Sequence, residues 1–260
     1  MLFAEYERCH YARSPLIEVI CQLRFPTILS IGAKEPAEFQ EAIRGDFPRY
    51  MVKQEQLPPK VVPGPKPTVE QPKPITNYHF ISTDGKWKLN LTQNFISLST
   101  LRYQRWEDFA ARLDKPLAHF IQLYRPAFFE RIGLRYVNAF SRRLLGLEDL
   151  LWDDLIQSPY LGILGEPDVD EKAVGKCALN VESALPGGCH MKIQAGTGLL
   201  KGGKEDPEVK FILDGDFSAA GNLSADLVPG RLEDLHRYAV RMFRGAITNE
   251  TREAMGPMDL

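Results

Sequence analysis

The chain has 260 residues, 44% of them hydrophobic and 25% charged, which excludes a wholly disordered protein and suffices for one substantial core or two smaller ones. Thirty-two Lys and Arg face 34 Asp and Glu, a formal charge of -2, so no global pull toward nucleic acid or anionic lipid operates. Any basic site must be local. The first residues, MLFAEYERCHYARSP, lack the basic and apolar stretches of a secretory signal, and no later run nears the ~18 apolar residues of a membrane span. A cytoplasmic protein without membrane contact is expected. Cys9, Cys21, Cys177 and Cys189 are too sparse for a disulfide framework and form no CxxC pair, so reduced thiols are expected.

PLIEVICQLRFP (15–26) alternates as a strand, with Ile17, Val19, Cys21, Leu23 and Phe25 on an apolar face and Leu16, Glu18, Ile20, Gln22 and Arg24 on the other. Pro36, the Phe39 and Ile43 spacing, and a Gly45 stop predict a short helix next. Residues 57–76 are too rich in proline for a helix or central strand, and read as a solvated excursion or a polyproline II ligand for a partner. Asp84-Gly85 and then Gln93-Asn94 divide the following β-prone runs into a three-stranded meander. From Trp106 the period changes to helical: Trp106, Phe109, Leu113, Leu117, Phe120, Ile121 and Tyr124 form one stripe, with Glu107 and Asp108 in the first turn.

RIGLRYVNAF (131–140) reads as a strand, because Gly133 costs about 1 kcal/mol inside a helix while Ile132, Tyr136, Val137 and Phe140 favour a pleated surface. Asn138 then leaves the arginine face and needs a buried hydrogen-bond partner. The second half predicts strands near 176–185, 190–200 and 208–218 and a helix over 229–246, with Leu232, Leu235, Ala239, Met242 and Phe243 buried. Both halves show a meander followed by a helix that starts with WEDF (106–109) or LEDL (232–235), which points to an internal duplication. The fold expected is α+β: two antiparallel-sheet halves with packed helices, 1–145 ferredoxin-like with an extra strand, and 146–260 packed on it.

Motifs that promise chemistry mostly fail on context. GLLKGGK (198–204) satisfies GxxxxGK, but Glu205 replaces the Ser or Thr of a phosphate loop and strands flank it on both sides. Asp214 and Asp216 could hold a metal, yet a solvated, charge-alternating strand face explains them as well. Cys9-His10 and Cys189-His190 lack zinc spacing. The five histidines, His10, His79, His119, His190 and His236, form no acid, base or nucleophile pattern. No metal, cofactor or catalytic residue is therefore expected. The candidate binding residues are Arg131, Arg135, Glu18 and Arg24, which share the face opposite the helices when the two strands pair. Glu18 is expected beside an arginine, and a cleft forms there if the second half packs over that face.

SPLIEVICQLRFP, WKLNLTQNFISLSTLRYQRWEDF and above all FFERIGLRYVN resemble an uncharacterised, sporadically distributed bacterial family of similar length. The resemblance implies no catalytic residues. Its patchy occurrence implies mobile cargo such as a toxin–antitoxin or phage-defence component. Two functions follow as expectations: a non-catalytic interaction protein with a protein partner, from a neighbouring gene for example, or an RNA- or nucleotide-binding enzyme or sensor that sets Arg131 and Arg135 on phosphate.

Overall fold

The computed structural model describes residues 3–5, 8–56, 59–62, 68–72, 74–200 and 207–258. In chain order the elements are β1 (His10–Tyr11), β2 (Leu16–Arg24), α1 (Leu29–Ala33), α2 (Ala37–Ile43), β3 (Arg49–Glu55), β4 (Lys60–Val62), β5 (Thr68–Glu70), β6 (Ile75–Ile81), β7 (Trp87–Leu91), β8 (Phe95–Thr100), α3 (Trp106–Tyr124) and β9 (Phe129–Phe140). There follow α4 (Arg142–Leu145), α5 (Trp152–Leu155), β10 (Ala178–Leu185), β11 (Cys189–Gly198), β12 (Lys210–Leu223), α6 (Val228–Ala246), α7 (Asn249–Met255) and β13 (Pro257–Met258). The class is α+β, as expected. Among the described residues no helix is long and apolar enough to cross a membrane.

Nine strands make one antiparallel sheet in the order β10-β11-β12-β9-β2-β8-β7-β6-β3. The order is close to symmetric about the central β2/β9 pair. On each side lies a three-stranded meander, β6-β7-β8 or β10-β11-β12, and each meander runs into a 19-residue helix, α3 or α6. Period-two alternation sends Val19, Cys21, Leu23, Ile132, Leu134, Leu213 and Phe217 to one face, where they join the buried stripes of α2, α3 and α6 in a single core. The polar residues between them line the other face.

Three expectations are corrected here. The second half does not pack over the polar face: β12 pairs with the free side of β9 and extends the sheet edge-on, because strand pairing satisfies that row of backbone groups. The cleft over the arginines therefore does not form. Ile17 is 36% exposed instead of buried, because a register shift between Leu16 and Glu18 turns Leu16 to the helix side opposite Asn138. Strand β3 was not foreseen: all seven residues are exposed, so no buried stripe marks it, and its pairing with β6 alone makes it a strand. In the proline-rich stretch, β4 and β5 pair over three residues as a two-stranded ribbon separate from the main sheet. Residues 201–204 of the GxxxxGK match lie outside the described residues, and β11 and β12 flank the segment.

Candidate functional site

On the polar face Arg131 and Arg135 have each found an aspartate of β12. Arg131 Nη2 donates to both carboxylate oxygens of Asp216 at 2.7 and 2.8 Å, and Arg135 Nε donates to Asp214 Oδ1 at 2.7 Å. Glu18 lies opposite Val137 and forms no ion pair with either arginine among the described residues, although its charge acts on Arg135, and exposed Arg24 lies opposite the like-charged Arg131. The expected Glu18 partnership is thus replaced, because the DGD segment reaches the arginines from the opposite neighbour strand. The Arg131 guanidinium lies across Gly133, where a Cβ would stand 2.1 Å from Nη1. Gly133 is therefore the groove that lets Arg131 reach along its own strand.

Asp214 is also less solvated than its pattern suggested, being 8% exposed. Its carboxylate, the largest influence on Arg135, holds that guanidinium more firmly protonated. Both arginines are engaged, so each guanidinium would have to give up an aspartate to meet a phosphate. Replacing Asp214 with Ala is expected to cost about 1–2 kcal/mol, because a shielded carboxylate is lost while Arg135 stays half in water. Asp216→Ala, in a wetter pair, should cost less than about 1 kcal/mol. Urea titration of the two variants checks this order, and a reversal would contradict the pairing.

The sequence reading missed a second arrangement, on the helix side. A cavity of about 830 Å³ opens between the N-terminal segment, the turn leading into α3, β9 and α6. At its floor the Tyr136 hydroxyl and His236 Nδ1 lie 2.8 Å apart, both groups buried. The Trp106 indole stacks on the His236 ring with centroids 4.6 Å apart and planes at 10°. Trp106 Nε1 in turn donates to Glu233 Oε2 at 2.6 Å, which fixes the indole. Tyr103 meets Tyr136 edge-on, with centroids 5.8 Å apart. Asn138 also lines the cavity, and its Nδ2 donates to the Leu213 carbonyl at 3.2 Å, the partner that this buried amide required.

Burial, and next the charge of Arg8, push the His236 imidazole down to about 4, so it is neutral at neutral pH. Burial likewise holds the Tyr136 and Tyr103 phenols above their ordinary range. His236 Nε2 has no hydrogen-bond partner among the described residues. A signal for this cluster was present: His236 falls on the apolar stripe of α6 between Leu232 and Ala239, and Tyr136 on the core face of β9. Polar heads on buried faces need partners, and these two, 100 positions apart, supply each other.

All four cysteines are free thiols, and no cluster of three or more His, Cys, Asp or Glu side chains is placed to hold a metal among the described residues. No protein-family model matches the chain, and no curated protein matches it.

Proposed function

We propose that the protein is a non-catalytic interaction protein that takes an extended segment of a protein partner onto the outer side of β3. The supporting observation is the edge itself. Strand β3 ends the nine-stranded sheet, all seven of its residues are exposed, and Tyr50, Met51 and Val52 stand out at 38, 44 and 42% exposure. It carries no proline or bulge, two of the usual devices that blunt an edge, although Arg49 and Lys53 add charge. Strand addition there gains main-chain hydrogen bonds, and the alternate side chains select the partner. The family resemblance points to a partner encoded by a neighbouring gene, in a toxin–antitoxin or phage-defence setting. The alternative, phosphate contact through Arg131 and Arg135, finds less support because both guanidinium groups are bound to aspartates.

Proline placed singly at positions 51 and 52 tests this reading. Consecutive residues of a strand direct their N–H groups to opposite sides, so one variant removes a donor from the outer edge and spares the β6 ladder. That variant is expected to fold normally and to lose co-purification with the co-expressed neighbour, whereas Asp216→Ala retains it. Retention of the partner by both proline variants, or turnover of a substrate by the protein alone, would overturn the proposal.

A further inference from the structure

The helix-side cavity lies beyond the strand-edge reading and owes nothing to it, since β3 is at the far end of the sheet. Three of its features bear on what it would take. Its size falls in the range of pockets that enclose a small organic molecule, on the order of 300–1,000 Å³. Its depth is aromatic and apolar: Trp106, Tyr103, Tyr136 and Phe243 present rings, and Ala239 and Met242 fill the wall between them. Its charge is one-sided. Arg8, Arg102, Arg105 and Arg244 line it, against Asp108 as the carboxylate among the described lining residues.

The polar groups are graded along the same axis. At the floor, Tyr136 and His236 satisfy each other, but Nε2 of a histidine that is only 5% exposed is left without a partner among the described residues. A buried imidazole nitrogen without a partner is costly, and a bound molecule that offers a hydrogen-bonding ring edge would relieve that cost. Near the mouth, Arg8 already meets Glu107 at 2.9 Å and Arg105 meets Asp108 at 3.0 Å. Arg102 is exposed and has no carboxylate within ion-pair distance among the described residues, so it is the cation best placed to meet an incoming anion.

We propose that this cavity binds a small planar organic anion, with its ring against Trp106, His236 and Tyr136 and its carboxylate or phosphate at Arg102 in the mouth. The ring gains stacking and apolar burial, while the head group gains a charge-assisted bond that a neutral molecule of the same shape cannot make. Recognition is then divided between two ends of the cavity, and each end can be removed separately.

Calorimetric titration of the full chain with two matched pairs tests the site: indole-3-acetate against indole, and adenosine monophosphate against adenosine. The expected result is that the anion of at least one pair binds roughly tenfold tighter than its neutral counterpart, as one added ion pair in a partly shielded mouth provides. Which pair responds tells carboxylate from phosphate. Arg102→Glu, an exposed change that spares the fold, should erase the preference for the anion and leave the neutral member's affinity unchanged. His236→Phe should weaken both members of the pair, and a cooperative urea transition that still leaves the variant folded under the titration conditions, although at a lower midpoint, separates lost binding from lost folding. Absence of binding by all four probes at millimolar concentration, equal affinity within both pairs, or an anion preference that survives Arg102→Glu would each overturn the proposal.

Discussion

Lowering the pH from 7 to 4 is expected to remove about 3 kcal/mol of stability through His236 alone. In the unfolded chain the imidazole takes up a proton near its ordinary value of 6.5, whereas in the fold burial, followed by the Arg8 charge, depresses it to about 4 against a smaller opposing pull from Glu107. Between these two values the unfolded state binds a proton that the native state refuses. The contribution is therefore fully present above pH 6.5 and is lost progressively as pH falls toward 4, at up to about 1.4 kcal/mol per pH unit. His79 on the opposite face adds a loss of the same sign, because burial first, then Lys88 and Lys53, lower its affinity for the proton. Urea unfolding at pH 7, 6, 5 and 4 measures the effect. His236→Phe keeps an aromatic ring beneath Trp106 and should flatten most of this slope while lowering stability at pH 7, since Tyr136 loses its partner. An unchanged slope in that variant would remove His236 as the cause.

Trp106→Ala is expected to be the most damaging single substitution near the cavity, at about 3–5 kcal/mol. The indole is 6% exposed, stacks on both His236 and Phe109, and bridges α3 to α6 through Glu233. Its loss leaves a void between the two long helices and also deprives a carboxylate of its donor. For a domain of this size the thermal midpoint should fall by roughly 10 °C. Trp106→Phe keeps a ring on His236 and forfeits the Glu233 bond, so a loss of about 1–2 kcal/mol is expected. Thermal and urea unfolding of both variants give the comparison. If alanine costs no more than phenylalanine, the stack carries no weight in joining the helices.

The Arg131 and Arg135 outcome shows how far strand patterning reaches. Alternation correctly placed both arginines on the polar face of β9, with Ile132, Leu134 and Tyr136 on the other face. It could not name their partners, because β9 has two neighbours and only one, β2, was assigned to it. With β12 on the other flank, Asp214 and Asp216 come nearer than Glu18, and the charges pair there. Gly133 served in the sequence only as evidence against a helix. Its positive role, clearing a path for the Arg131 guanidinium, depends on a rotamer that no spacing encodes.

The local elements were determined by the sequence itself: the 3.6-residue stripes of α3 and α6, the two meanders, and β9 as a strand all follow from side-chain periodicity, which acts within one element and needs no neighbour. Strand β3, the edge-on joining of the two halves and the cavity were decided only by the tertiary structure. Each depends on which element lies beside which: an exposed edge strand has no buried stripe to announce it, and sheet order is set by pairing between distant segments. The Trp106, Tyr136 and His236 cluster gathers residues from α3, β9 and α6 that meet only once the sheet has closed its central pair and both long helices lie on the same face.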